Sequence, residues 1–300
     1  MKKNLLIRSD SSSIIGTGHV MRDLVFAQQY KDYKIIFAAQ NLSGNINYKV
    51  EESGYHVEVL KTNNLEELLV VIRKHNIDMI VIDNYNIDWK YEQKIKMETG
   101  ITILSFDDTY EKHHCDILLN HNLGANKKKY KDIVPPYCEL RCGVKYTLLR
   151  DEFLIEKNKV KDKNKNIFIS MGGSDSSNLT PKILKQLKRF KNIRINICTT
   201  DSNENLKELK ALTKGVRTLK LHINSTKIAK LMNNSDLAII TPSVIANEIY
   251  FLNIPFIAIK ESDNQNEIYK YLKKKKYSVL KKYDDKKLHK KLAVFLENKK

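Results

Sequence analysis

A histidine placed directly after a glycine turn is the first feature with chemical potential. Residues 8–19 read Arg-Ser-Asp-Ser-Ser-Ser-Ile-Ile-Gly-Thr-Gly-His. Gly16 and Gly18 let the backbone turn tightly and approach a ligand, and the N-terminus of a following helix favours an anion. The same helix end favours the neutral imidazole of His19, the form a general base needs. A histidine there is either a base or a cap on the surface. Its place at the carboxyl end of a strand raises the first reading. The turn is no dinucleotide fingerprint, because the third glycine is absent and no Walker Lys-Ser/Thr pair follows. Along the helix, Val20, Leu24 and Ala27 form the expected buried stripe, with Arg22 and Asp23 as polar neighbours.

Two further loops carry comparable patterns. Residues 170–178 read Ser-Met-Gly-Gly-Ser-Asp-Ser-Ser-Asn. Gly172, Gly173 and Ser174 offer backbone N–H groups suited to a diphosphate, or else a flexible connection. Residues 241–248 read Thr-Pro-Ser-Val-Ile-Ala-Asn-Glu. Ser243 is expected to cap a helix that carries Glu248 just over one turn in. A carboxylate there can accept both hydrogen bonds of a ribose diol, or simply complement the helix dipole. Asp107-Asp108 could be paired acids, although turn and N-cap roles are commoner for that pair.

Cys115, Cys138, Cys142, His113 and His114 invite a zinc reading. The spacing Cys138-x3-Cys142 is single and unpartnered, so no metal is expected. Cys115 precedes a strand and reads as a small hydrophobe. Neither a Gly-x-Ser-x-Gly elbow nor His-Glu-x-x-His occurs, which argues against the standard serine hydrolases and zincins.

The elements that must position these residues alternate regularly. Short continuous apolar runs at Leu5–Ile7, Ile35–Ala38, Val57–Leu60, Asp78–Asp83 and Ile101–Phe106 are separated by helical patterns. One of these helices has Asp88 as N-cap and Gly100 as its stop. The pattern pauses at the polar stretch Glu156–Asn166. It resumes with strands at Ile167–Ile169, Ile193–Cys198, Val216–Leu221, Leu237–Ile240 and Pro255–Ile259, with Thr180-Pro181 as cap and first residue of a helix. This is the signature of parallel sheets covered on both faces. Two α/β domains are expected, 1–155 and 156–300.

Composition bounds the partners. The chain has 300 residues, 42% of them hydrophobic, and a formal charge of +18. Eight Arg stand against 45 Lys, whereas nucleic-acid readers lean on the planar guanidinium. With no basic segment interleaved with aromatics, nucleic acid is not expected as a partner. The lysines read as a solvated surface that attracts small anions. No apolar run approaches a membrane span of roughly 18 residues, and the apolar part of the N-terminus is too short for a secretory signal. Four cysteines make no disulfide framework, so a cytoplasmic location is expected.

Taken together, RSDSSSIIGTGHVMRDLV (8–25), VIDNY (81–85), LSFDD (104–108), HHCDILLN (113–120), CELRCG (138–143), MGGSD (171–175) and the Asn247-Glu248 helix resemble one family. It is the UDP-2,4-diacetamido-2,4,6-trideoxy-β-L-altropyranose hydrolases of pseudaminic acid biosynthesis. That family is similar in turn to inverting GT-B glycosyltransferases, including the one that forms lipid II. The resemblance implies a GT-B fold, two Rossmann-like domains facing a cleft, with UDP in the C-terminal domain and the sugar at the N-terminal one. It implies water attack at the anomeric carbon with C–O cleavage and inversion, and neither metal nor cofactor. It places the base at His19 and an assisting tyrosine at Tyr85. The substrate-binding set falls on Gly16, Gly18, Gly172, Gly173, Ser174, Ser243, Asn247, Glu248 and Asn264. The partners expected are the UDP-sugar and its UDP product, and the chain is expected to be a monomer. The rival readings are a UDP-sugar glycosyltransferase, a hydrolysing epimerase on a related UDP-aminosugar, and a binder without turnover. The segment Asn126–Lys131 and the basic, amphipathic tail Asp284–Lys300 depart from the family pattern.

Overall fold

The computed structural model describes residues 2–159 and 165–297. They separate into two compact units, Met1–Leu148 and Leu149–Lys300. Of the polar stretch 156–166, residues 160–164 lie outside the described residues.

In the first unit the order is β1 (Lys3–Ser9), α1 (Gly18–Ala27), β2 (Tyr33–Gln40), α2 (Asn47–Glu52), β3 (His56–Leu60), α3 (Leu65–Lys74), β4 (Met79–Asp83), α4 (Trp89–Thr99), β5 (Thr102–Phe106), β6 (Ile117–Asn120) and β7 (Glu139–Cys142). The apolar runs of the central strands have no polar face because β1, β4 and β5 are buried on both sides. Leu5 and Ile7 meet Val20, Phe26, Phe37 and Val81 on one face. Leu6 meets Leu68, Ile72, Ile80 and Ile95 on the other. All neighbours in the seven-stranded sheet β3-β2-β1-β4-β5-β6-β7 are parallel. Strand order reverses between β1 and β4, where Ser9 lies opposite Asp83. At such a reversal the two following connections diverge and leave a crevice beyond the strands' carboxyl ends. The α4 signals act as read: Asp88 accepts the Lys90 and Tyr91 amides, and Gly100 closes the helix at φ +67°.

The second unit repeats the plan with α5 (Asp151–Glu156), β8 (Asn166–Ser170), α6 (Leu179–Leu187), β9 (Arg194–Thr199), α7 (Leu206–Thr213), β10 (Leu219–Ile223), α8 (Ile228–Asn233), β11 (Leu237–Ile240), α9 (Val244–Phe251), β12 (Phe256–Ile259), α10 (Asn266–Lys274), β13 (Ser278–Leu280) and α11 (Asp285–Leu296). Its sheet runs β10-β9-β8-β11-β12-β13, all parallel. The reversal here lies between β8 and β11. The glycine loop after β8 and the segment leading into α9 therefore share one crevice.

Two helix starts differ from the sequence expectation. Thr180 does not cap α6: the helix begins at Leu179, and the Asp175 carboxylate accepts the Leu179 and Thr180 amides at 2.8 and 3.0 Å. A carboxylate outcompetes a hydroxyl for these amides because it brings full charge to the helix dipole. Ser243 stands at the α9 N-cap position, but its hydroxyl makes no cap bond and instead meets Thr241 Oγ1 at 3.0 Å. Of the basic tail 284–300, Asp285–Leu296 forms α11, capped by Asp284, and residues 298–300 lie outside the described residues. Leu288 and Leu292 are buried with Ile183, Leu184 and Leu187, so this helix is part of the unit's core.

Candidate active site

The crevice of the first unit is built by three strand ends. Asp10 follows β1 and is held by Arg8, whose Nη1 and Nη2 donate to Oδ1 and Oδ2 at 2.7 Å each. Asp10 also accepts the Gln40 amide at 2.7 Å and the Asn84 side-chain amide at 2.8 Å. Burial opposes the charge on Asp10, but the Arg8 bonds outweigh it and hold the carboxyl below its usual range. This clamp ties the ends of β1 and β2 to the loop after β4. Beyond it the chain turns through an isolated bridge between Ser12 and Gly16. Gly16 has φ +84°, a conformation that favours glycine, whereas Gly18 opens α1 with nothing within 4 Å of a Cβ. Ile14, at the tip, is 95% exposed.

His19 then lies in the first turn of α1, and its ring is nearly buried. Nδ1 meets Asp83 Oδ1 at 2.7 Å. An ionised carboxylate only accepts, so Nδ1 carries the proton of that bond and Nε2 is the ring nitrogen left outside it. Arg22, one turn along α1, donates Nε to Asp83 Oδ2 at 2.5 Å and Nη2 to Oδ1. Its Nη2 also lies 3.1 Å from His19 Nδ1. Burial works against the Asp83 charge, yet Arg22 and His19 overcome it and leave the carboxyl well below its ordinary range. The guanidinium lies over the Phe106 ring at 5.0 Å.

Tyr85 stands edge-on to His19, ring centres 4.9 Å apart. Its hydroxyl donates to Asp108, at 2.9 and 2.8 Å from the two oxygens. Burial, then the Asp108 charge, hold the phenol protonated far above its usual range. Arg22 Nη1 reaches Asp108 at 3.6 Å. Asp107 has the turn role: it accepts the Thr109 and Tyr110 amides at 2.9 and 2.8 Å and the Tyr130 hydroxyl at 2.6 Å. The tandem acids thus divide their work, one building the turn and one holding Tyr85.

Several buried groups here carry no local sequence signal. Asp23 is fully buried, and neither carboxylate oxygen has a hydrogen-bond partner. Burial and the Asp83 charge push its carboxyl well upward. His121, after β6, is buried with both ring nitrogens unpartnered, and burial followed by the Arg22 charge lowers it to about 3. His113 Nδ1 meets Glu92 Oε1 at 2.8 Å. Burial opposes its charge, but Asp107 and Glu92 outweigh that and raise it to about 10.

Cys115 is buried, with its sulfur 3.7 Å from that of Cys138. Among the described residues, His56, Glu58 and His75 bring three possible metal-ligating atoms together. The Lys74 ammonium already sits 2.7 Å from the Glu58 oxygen that both imidazoles share. The cluster is a satisfied ion network linking β3 to the end of α3.

In the second unit, Gly172 has φ +82°, and a Cβ on Gly173 would meet Thr200 Oγ1 at 3.0 Å and Cγ2 at 3.1 Å. The Gly173 carbonyl accepts from Thr199 and Thr200 hydroxyls at 2.8 and 3.1 Å, which pins the loop to the end of β9. Glu248 accepts from Arg150 Nη2 at 3.1 Å, and burial raises its carboxyl. Asn247, beside it, is buried. Asn264 is exposed on a short 3₁₀ turn and accepts the Ser262 hydroxyl at 2.6 Å. Glu261, just after β12, is raised to about 7 by burial and then by the Asp175 charge. Sequence reading missed this pair because its members lie on different strand connections.

No family model matches the chain. A UDP-2,4-diacetamido-2,4,6-trideoxy-β-L-altropyranose hydrolase of Campylobacter jejuni is 43% identical over 93% of this chain and 99% of its own. The chain belongs to that hydrolase family. An uncharacterised protein of Methanocaldococcus jannaschii is 31% identical over 90% of this chain and 58% of its own. The hydrolase family's fold is shared with more distant structures. MurG of Acinetobacter baumannii matches with a TM-score of 0.65 at 12% identity, covering 97% of this chain and 90% of that one. The UDP-GlcNAc 2-epimerase of Neisseria meningitidis bound to UDP-GlcNAc gives 0.66 at 12% identity, covering 98% and 92%. The hydrolase-family chain is therefore of GT-B type, with two Rossmann-like units.

Proposed function

We propose that this chain removes UDP from UDP-2,4-diacetamido-2,4,6-trideoxy-β-L-altropyranose with water, releasing the free sugar used in pseudaminic acid synthesis. Within the family, the observation that carries the reading is the His19–Asp83 bond at the strand reversal. It engages Nδ1 and leaves Nε2, in the first turn of α1, as the nitrogen outside that bond. Water attacks the anomeric carbon from the face opposite the diphosphate, and the C1–O bond breaks with its electron pair on the β-phosphate oxygen. The water's proton passes to His19 Nε2, and the configuration inverts. Tyr85 orients the base and the attacking water. UDP is already a good leaving group, so the remaining need is to stabilise charge developing on the diphosphate.

The Gly172-Gly173-Ser174 amides suit that task. Gly16 and Gly18 shape the sugar side of the site. Glu248, with Ser243 and Asn247 beside it, suits the ribose, and Asn264 supplies an amide to the substrate. The reading needs no metal or cofactor. It takes the chain as a cytoplasmic monomer without nucleic-acid partners. Among the described residues, no helix is long and apolar enough to cross a membrane.

The test is hydrolysis in ¹⁸O-water followed by ¹H and ³¹P NMR, with no acceptor present. The expected products are UDP without label and the free sugar of inverted anomeric configuration carrying ¹⁸O at C1. His19→Asn should lose about 10²–10⁴-fold in turnover while still binding UDP. Label in UDP, a C2-epimerised product, or near-normal turnover of His19→Asn would overturn the reading.

A further inference from the structure

His19 is held by a carboxylate, and that carboxylate is itself held by a cation. Arg22 meets Asp83 through two nitrogens, comes within 3.1 Å of His19 Nδ1, and extends its third nitrogen toward the carboxylate that binds Tyr85. We propose that Arg22 is the positioning residue of the site: its guanidinium locks Asp83 onto the Nδ1 side of the His19 ring and opposes the Asp83 charge, so that Nε2 is the nitrogen left to act as base. This rests on the reading of His19 as the base.

Within this unit the ionisable groups around His19 are few and identifiable. Asp83 ends β4, Tyr85 follows it, Asp108 follows β5, His121 follows β6, and Arg22 and Asp23 share α1 with His19. Asp83 is ionised, Tyr85 and His121 are neutral, and burial pushes Asp23 and Asp108 toward the neutral form. Among these groups Arg22 is the permanent cation. Without it, Asp83 would face His19 unopposed and draw a proton onto the imidazole, removing the lone pair that activates water. The geometry also fixes the tautomer. Both Asp83 oxygens are engaged by Arg22, which keeps the carboxylate turned so that Oδ1 reaches Nδ1.

A residue that only supported the fold would lower activity without moving its pH dependence, so the pH profile separates the two roles. The acid limb of kcat/KM should move to higher pH by about one unit or more in Arg22→Gln. In Asp83→Asn, which removes the negative partner and leaves the cation, it should move to lower pH. Arg22→Lys keeps the charge but loses the fork, and should leave the limb near its original place with a reduced kcat. A second readout needs no substrate: ¹⁵N shifts of labelled histidine, assigned with His19→Gln, should report Nδ1–H in the wild type and a loss of that tautomer's dominance in Arg22→Gln. An acid limb that stays fixed, or moves the same way in Arg22→Gln and Asp83→Asn, would refute the proposal while leaving hydrolysis by His19 intact. Should Arg22→Gln not fold, as judged by circular dichroism, Arg22→Lys and Asp83→Asn decide it: a limb unmoved by the aspartate change refutes it.

Discussion

Replacing His113 by glutamine tests the charge network around the Asp107 turn. The imidazolium lies between Glu92, at 2.8 Å, and Asp107, at 4.0 Å. Glu92 is fully buried and also accepts the Ser105 hydroxyl and the His114 amide at 2.6 and 2.5 Å. His113 rises from its ordinary 6.5 to about 10 in the fold. At 1.36 kcal/mol per pH unit that shift caps its contribution at about 5 kcal/mol. The Asp107 oxygen stands beyond hydrogen-bond range of Nε2, so we assign about half of that, about 2–3 kcal/mol. Because the folded form binds its proton more tightly, the stabilisation is fully present below about 6.5 and disappears as pH rises toward 10. His113→Gln should therefore lose about 2–3 kcal/mol at pH 6, and the gap to wild type should narrow steadily by pH 9.5. Urea unfolding followed by tryptophan fluorescence measures it cleanly, since Trp89 is the chain's single tryptophan and starts α4 near Glu92. A gap that stays constant from pH 6 to 9.5 would show that His113 is not held as a cation.

Tyr85→Phe removes a hydroxyl bound to a carboxylate, an interaction of about 1.5–3 kcal/mol. It should lower kcat by about 10–100-fold, less than the loss in His19→Asn, as steady-state UDP release will report. Gly173→Ala would drive a methyl against Thr200. UDP affinity by calorimetry should fall, and Thr200→Ala, which removes both close atoms, should recover part of it. Asp23→Asn replaces a carboxyl that burial already drives toward neutrality. The wild type should lose stability as pH rises above the ordinary carboxylate range, so the variant should melt higher at pH 8 and no higher at pH 4. Equal melting differences at both pH values would contradict the burial argument.

Much of the framework was legible because it is written in local spacing. The runs at Leu5–Ile7 and Asp78–Asp83, the stop at Gly100 and the turn before His19 each announce themselves within a few residues. The family motifs brought His19 and Tyr85 together although 66 positions separate them. What local spacing does not encode is charge pairing across strands. Arg22 and Asp23 read as polar neighbours of His19, yet both are buried, because Asp83 and Asp108 arrive from β4 and β5 to receive the guanidinium. Asp175 displaced Thr180 as the α6 cap for a related reason: a carboxylate further back in the loop curls onto the helix end. His113 looked like a stray metal ligand until Glu92, on α4, supplied its counter-charge. The basic tail read as an amphipathic departure from the family pattern, and its two inward leucines, Leu288 and Leu292, supply the apolar face.

The Arg8–Asp10 clamp has a consequence for how the barrier to reaction is composed. Because Asp10 joins the ends of β1 and β2 to Asn84, the turn that leads to His19 and the loop that bears Tyr85 are ordered as one piece when the chain folds. The conformational entropy of bringing His19 and Tyr85 together is lost then, so under the proposed reading it adds nothing to the barrier of each turnover. A substrate bound as proposed would meet a preordered half-site, and the ordering left to binding would fall on the sugar and the water.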